Sequence, residues 1–299
     1  MYSSGRAQLA PTKILDILHY SHYSLIFEPS TNYMSVKKNL VLGGSGMIGS
    51  HLCKYLLSKG EEVISLDLLS GFDLRKDALS QYKDVDFVWF LAWEVGGSKF
   101  LTDISNHISI IKNNTQICER VFNFLEETKI PFLFASTQLA AADNVYGVTK
   151  LLGENWTKAL GGKIVRFWNV YGWEDPGERS HVITDMVLNA LSNKHIQLIT
   201  TGEEERQFIY GADCVKNLYL IKSLKEDEFD LSNGQWISIK QLGETIAAKL
   251  GATVSVGEVK GYNNHIDPKF NTQYFSFDYD LNKGLDEVIE NGKKFLAKH

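Results

Sequence analysis

Tyr146 and Lys150 stand four residues apart in Tyr146-Gly147-Val148-Thr149-Lys150. In a helix they share one face. That pair can move a proton. A tyrosinate is a strong base that ordinarily titrates at about 10, and an ammonium alongside stabilises the phenolate and lowers that value. Nine residues before Tyr146 stands Thr137, at the end of Pro131-Phe132-Leu133-Phe134-Ala135-Ser136-Thr137. Its hydroxyl can hydrogen-bond an oxygen that gains or loses the proton. An alcohol that loses a proton from oxygen in this way can lose hydride from the attached carbon, and the hydride then needs a carrier.

A carrier site precedes these residues in the chain. Val36 to Leu42 is an expected strand, and Gly43, Gly46 and Gly49 follow at a spacing of three. His51 to Ser58 then fits a helix with Leu52, Leu56 and Leu57 inward. Strand, glycine turn and helix make a dinucleotide site. Gly43 permits the turn, Gly46 lets backbone approach a pyrophosphate, and Gly49 lets helix and strand pack closely. The phosphates then face the free N–H groups of the helix N-terminus, with Ser45, Met47 and Ile48 at the same turn. Glu62 to Leu68 is the expected second strand, and Asp67 at its end suits the adenosine ribose hydroxyls. A carboxylate there repels a ribose 2′-phosphate, so NAD is expected rather than NADP. Asp73 and Leu74 are placed to approach the adenine, although a helix start explains Asp73 equally well.

The elements that must hold these groups alternate between strand and helix, which predicts a parallel sheet covered on both faces. Asp86 to Leu91 is near-continuously apolar, and Leu91-Ala92-Trp93-Glu94-Val95-Gly96-Gly97 lies at its carboxyl end, where such sheets bind ligands. Ile104 to Glu127 predicts a long helix in which Asn114 either holds neighbouring loops or faces solvent. Arg166-Phe167-Trp168-Asn169 ends another strand, with Asn169 as a substrate or structural anchor. His181 opens a helix. Arg206 follows three glutamates, and its guanidinium suits either a diphosphate clamp or a surface ion pair. Asp213 suits a helix cap. The fold class expected is α/β, a Rossmann-type doubly wound parallel sheet with a smaller C-terminal substrate region. Residues 36–170 form the NAD-binding part, completed by 196–224, with 171–195 and 225–299 as the substrate region.

Residues 1–35 are an N-terminal extension, with Ile14 to Phe27 as a short packing helix. His19, Tyr20, His22 and Tyr23 lack carboxylate or cysteine partners at ligand spacing, so no metal is expected. Over 299 residues, 44% are hydrophobic and 22% charged, an ordinary globular composition. A net charge of -5 gives no sign of a nucleic-acid surface. No run has transmembrane length and no basic segment leads into a long apolar run, which argues against a membrane span and a secretory signal. Cys53, Cys118 and Cys214 are far apart, as expected of reduced thiols in a cytoplasmic protein.

Together these residues resemble the extended short-chain dehydrogenases/reductases, in particular the NAD-dependent epimerase/dehydratase family acting on nucleotide sugars. The resemblance covers about residues 36–299. It rests on Gly43 to Gly49, Asp67, Asp73-Leu74, Leu91-Ala92, Ser136-Thr137, Tyr146 with Lys150, residues 166–172 and residues 206–210. It implies that Tyr146 is the acid/base, that Lys150 holds cofactor ribose and tunes it, and that Ser136 or Thr137 assists. It also implies a homodimer built on two helices from each chain. Val95-Gly96-Gly97 and Ser180-His181-Val182-Ile183 resemble GDP-L-fucose synthase, which implies that His181 acts on protons of sugar carbons, with Val95, Gly96 and Gln138 near the sugar. The dehydratase branch would show an aspartate and a glutamate where this chain has Gln138 and Leu139, so loss of water is disfavoured. The expected function is a nucleotide-sugar epimerase acting through transient oxidation at C4. The alternatives are a 4-keto sugar reductase with epimerisation, and an inactive NAD-binding structural protein.

Overall fold

The computed structural model describes residues 36–140, 144–177, 179–262, 267–270 and 273–299. The expected helix at 14–27 lies outside them.

Six parallel strands form the central sheet: β1 (Lys38–Leu42), β2 (Glu62–Leu66), β3 (Phe87–Phe90), β4 (Phe132–Thr137), β5 (Lys163–Phe167) and β10 (Glu228–Leu231). Their order across the sheet is β10-β5-β4-β3-β1-β2. The order reverses between β1 and β3, so the carboxyl ends of those two strands bound the crevice where open α/β sheets bind ligands. Only two single-turn 3-10 segments lie between β2 and β3, at Leu68–Ser70 and Ser80–Tyr82. The twenty residues after β2 therefore run directly to β3, which pairs beside β1 with Leu42 opposite Phe90.

Both faces of the sheet are covered, and strand alternation sorts the side chains between them. Leu40, Leu42, Val88, Phe90, Phe132 and Phe134 pack with α3 (His107–Thr128), which follows the short α2 (Ser98–Thr102), and with α4 (Val145–Leu160). Val41, Trp89, Leu133 and Val165 pack with α1 (Met47–Ser58) and α6 (Gly211–Ile221). This two-sided burial is why β1, β3 and β4 have near-continuous apolar sequences. A separate cluster gathers α5 (Val182–Asn193), α7 (Ile239–Leu250) and α8 (Leu281–Leu296) with Ile196 and Phe208. It includes the short pairs β7 (His195–Gln197) with β12 (Thr253–Ser255) and β8 (Glu205–Gln207) with β11 (Trp236–Ser238). This is the smaller C-terminal region. A last pair, β6 (Val170–Tyr171) with β9 (Ile209–Tyr210), joins it to the end of β5.

One boundary differs from expectation. The sixth strand of the sheet is β10, beyond residues 196–224, while β7, which straddles the start of that range, pairs with β12 in the separate cluster. Glu228-Phe229-Asp230-Leu231 conceals its place because its polar half is buried by partners. Phe229 and Leu231 enter the core, Glu228 meets Arg166, and the Asp230 carboxylate accepts from the N–H groups of Lys269 and Phe270. Asp213 also differs. It lies inside the first turn of α6, and its two carboxylate oxygens accept from Asp278 and Tyr279 N–H, tying the C-terminal segment down rather than capping the helix. Ser238 does cap α7, in a reciprocal box with Gln241. No helix among the described residues is long and apolar enough to cross a membrane.

Candidate active site

The glycine turn is built as tightly as its spacing predicts, and its three glycines do different things. Gly43 has φ +90°, and a Cβ there would sit 2.7 Å from Ala92 N. This contact sets the turn against Leu91-Ala92 at the end of β3. A Cβ at Gly49 would lie 2.0 Å from Gly43 O and 2.7 Å from Gly44 Cα, so only glycine lets α1 close on the turn. Gly46, the N-cap of α1, has an ordinary φ of -67°, and its Cβ would meet only Gly43 O at 3.4 Å. The fold does not require glycine at 46, whereas a pyrophosphate approaching the α1 N-terminus does. Asp67 anchors the turn from the side: its Oδ2 accepts from Ser45 N at 3.2 Å and its Oδ1 from Leu69 N at 2.9 Å. Gly43, Ser45, Gly46, Met47, Ile48 and Gly49 could hold a dinucleotide's phosphates at this turn, with Asp67 available to its ribose.

The adenine side is less open than expected. Asp73 is gripped by Arg75, with Nε and Nη2 at 2.8 and 2.9 Å from the two carboxylate oxygens. The Arg75 hydrogen bonds hold the Asp73 carboxyl well down, at about 2. Leu74 is buried in the core, while its carbonyl accepts from Arg120 Nε. These residues shape a wall. Arg75 is thereby committed to Asp73 instead of facing a 2′-phosphate.

Around Tyr146 the geometry partly departs from the sequence reading. Asn144 caps α4, its Oδ1 accepting from Gly147 N at 2.8 Å, and so presents Tyr146 in the first turn. Burial pushes the Tyr146 phenol up to about 12, and the nearby Thr137 hydroxyl pulls the other way. Lys150 does not lower it. The lysine is buried and its Nζ donates to Ala135 O at 2.5 Å, 4.3 Å from the Trp93 ring centroid and 4.9 Å from that of Phe134. Burial brings its ammonium down to about 7. The expected ammonium–phenolate contact is replaced because the β4 carbonyl and two aromatic faces hold the amine more closely. In this arrangement burial favours the neutral Tyr146 phenol.

Ser136 and Thr137 point to opposite sides of their strand. Ser136 Oγ donates to Glu154 at 2.6 Å, and Glu154 takes a two-pronged bond from Arg166, which also reaches Glu228. This buried network joins β4, β5, β10 and α4, and it draws Ser136 away from the substrate role expected of it. Asn169 is an anchor: its Nδ2 donates to Gln207 O and its carbonyl accepts from Ile209 N. Gln138 donates its N–H to Phe167 O just beyond the end of β4. Arg206 is half-buried and held by backbone. Its guanidinium donates to the carbonyls of Glu205 and Tyr262 at 2.7 and 2.9 Å.

Sequence reading left Asn114 open and missed the role of Glu94. Asn114 is fully buried: its Oδ1 accepts from Glu94 N and its Nδ2 donates to Glu94 O and Thr149 Oγ1. The Glu94 carboxylate then accepts from Asn113, Ser109 and Arg179. The loop carrying Val95 and Gly96 is thereby tied both to α4 and to the segment before His181. Gly97 seats that segment directly, because a Cβ there would lie 2.3 Å from Ser180 O. The two patches at 95–97 and 180–183 thus pack against each other. His181 itself is paired with Glu174, another residue the sequence did not single out, Nδ1 lying 2.9 Å from Oε2.

A parallel sheet with this strand order and a glycine turn at its switch point define a Rossmann-type architecture with a smaller C-terminal region. The model of the NAD dependent epimerase/dehydratase family matches residues 39–229, and the chain belongs to that family. It is 31% identical over 234 residues to YtcB of Bacillus subtilis strain 168, described as an uncharacterized UDP-glucose epimerase, covering 60% of this chain and 71% of that one. It is 26% identical over 258 residues to GDP-mannose 3,5-epimerase 1 of indica rice, covering 69% and 67%. In three dimensions it is similar to the UDP-glucuronic acid 4-epimerase of Bacillus cereus, solved with UDP-glucuronic acid and NAD, with TM-score 0.74, 20% identity, and coverage of 86% and 99%, a likeness of fold. These similarities reach the family; the finer likeness to GDP-L-fucose synthase remains one of two short patches.

Proposed function

We propose that this protein is a nucleotide-sugar epimerase that acts through transient oxidation at C4, with NAD retained through the cycle. The observation that carries the reading is a turn whose middle glycine the fold does not need, at the same end of the parallel sheet as Thr137 and Tyr146. Bound NAD supplies a hydride acceptor and, after oxidation, a donor. Tyr146 takes the hydroxyl proton of C4 and later gives it back, with Thr137 holding the same oxygen. Because burial favours the neutral phenol, the phenolate needs a cation nearby. Rotation of Lys150 off Ala135 O brings its ammonium to the Tyr146 face of α4. Gln138 and Leu139 supply no acid/base pair for expelling water.

UDP-glucose and GDP-mannose, incubated separately with the protein and followed by mass spectrometry and NADH absorbance, test the reading. An isomer of unchanged mass with no net NADH change is expected from one of them. Loss of one water would overturn it, and stoichiometric consumption of added NADH would assign a reductase instead.

Cofactor choice follows from Asp67 and from Arg75 being held by Asp73. In fluorescence titration NADH should bind at least tenfold more tightly than NADPH, about 1.4 kcal/mol. Equal affinities would remove Asp67 from its role.

The reading includes a homodimer. α3 and α4 pack together, yet Ile108 is 78% exposed on one and Val148 is 55% exposed on the other, with Ile104, Ile111, Leu151 and Leu152 also exposed. A contiguous apolar face of this kind suits a second copy. Sedimentation velocity should give a species of twice 33.8 kDa, and Ile108→Asp with Leu152→Asp should return the monomer. A wild-type monomer at micromolar concentration would contradict it.

A further inference from the structure

Lys150 is a buried amine whose charge meets no carboxylate. Among the described residues it makes one hydrogen bond, to Ala135 O at 2.5 Å, and no ion pair. Glu154 stands four residues on, along the same face of α4, but it is taken by Ser136 and by both prongs of Arg166. Cys118 on α3 is the other titratable group near the amine, and burial pushes its thiol up to about 12, so it brings no charge.

What faces the amine instead is aromatic. Nζ lies 4.3 Å from the Trp93 ring centroid and 4.9 Å from that of Phe134. A ring face attracts a cation most strongly where water is excluded, and indole does so best. Both rings are fixed. Phe134 lies under α4, where a Cβ at Gly153 would meet its Cζ at 2.4 Å. Trp93 packs on Phe90 and Phe134 with centroids 5.9 and 5.3 Å apart. Its Nε1 donates to Thr149 Oγ1 at 3.3 Å, and that hydroxyl donates in turn to Tyr146 O at 2.9 Å. Trp93 therefore braces the turn of α4 that lies between Tyr146 and Lys150.

We propose that Trp93 is a positioning residue whose ring competes with Tyr146 for the Lys150 ammonium and so governs when Tyr146 can act as a base. The proposal rests on the C4 oxidation reading, in which a Tyr146 phenolate takes the hydroxyl proton. While the ammonium lies on the Trp93 face, Tyr146 keeps its proton. When the flexible lysine stem swings the ammonium one turn back along α4, the phenol proton leaves to solvent and the phenolate stands against a full positive charge. Burial brings the ammonium down to about 7 on the rings, and a phenolate alongside raises it again. The indole opposes this exchange, because the cation must leave its face.

The NAD-loaded protein, mixed separately with UDP-glucose and GDP-mannose over a range of pH, reports the exchange through the initial rate of NADH absorbance. The rate should rise with pH as Tyr146 gives up its proton. In Trp93→Leu the rising limb should move about one unit lower, and the rate below the limb should increase about tenfold, because no indole holds the ammonium. Trp93→Phe keeps a weaker ring and should move the limb the same way by less. In Lys150→Met the residual oxidation should keep its limb with or without Trp93→Leu. A Trp93 that only fills space would, when replaced, lower the rate and leave the limb in place. Thermal midpoints and NADH fluorescence titration check folding and cofactor binding, and if Trp93→Leu fails to fold, Trp93→Phe decides. NADH formation with an unmoved limb, or the same shift in the Lys150→Met background, would overturn the role of Trp93 and leave the oxidation standing. No NADH from either sugar with the wild type would defeat both.

Discussion

Tyr146→Phe is expected to lower turnover by about a hundredfold to ten-thousandfold while leaving NADH affinity near that of the wild type. The substitution removes one hydroxyl and keeps the ring that packs in the first turn of α4. The lost group is the phenol hydroxyl beside Thr137. Without it no side chain at that position exchanges the C4 hydroxyl proton, and Lys150 on Ala135 O does not substitute. Thr137→Val should cost less, since water can replace part of one hydrogen bond to the substrate oxygen. Steady-state kinetics with a turned-over nucleotide sugar checks both. A Tyr146→Phe protein of normal turnover would contradict the assignment of Tyr146 as acid/base.

Gly49→Ala should destabilise the protein even without ligand, by about 3 kcal/mol. The added methyl would overlap Gly43 O at 2.0 Å and Gly44 Cα at 2.7 Å, both backbone, so the α1 N-terminus must move off the turn. At this chain length the melting midpoint should fall by about 5 °C. Gly46→Ala is the contrast. Its methyl meets only Gly43 O at 3.4 Å, so the midpoint should hold while NADH affinity falls at least tenfold, about 1.4 kcal/mol. Calorimetry with fluorescence titration separates the two. Equal loss of stability in both variants would mean that the turn is a packing device and that Gly46 is not a ligand contact.

Much of this was legible because period and punctuation are local. The glycine turn, the apolar strands and the Tyr146–Lys150 spacing each lie within a few consecutive residues, and the structure places them at one end of one sheet. What was not legible depends on partners far along the chain. Ser136 and Thr137 look equivalent in sequence, but strand alternation hands Ser136 to Glu154 and Thr137 to Tyr146. Lys150 was expected beside the phenol, yet Ala135 O and the rings of Trp93 and Phe134 compete for its amine. Glu94 and Glu174 gave no sequence signal, because each matters through a residue in another segment or across a loop without periodicity. β10 was hidden by the charged half of its pattern, whose partners Arg166 and the loop at 269–270 appear only in the fold.

The central claim is that C4 itself is oxidised and reduced within one binding event. A nucleotide sugar deuterated at C4, mixed with the NAD-loaded protein and unlabelled NAD in excess, tests it most directly. The label should pass transiently to the bound nicotinamide and return, so the isomeric product keeps deuterium at C4 and the free cofactor stays unlabelled. Product that has lost its C4 deuterium to water or to the free NAD pool would contradict the account.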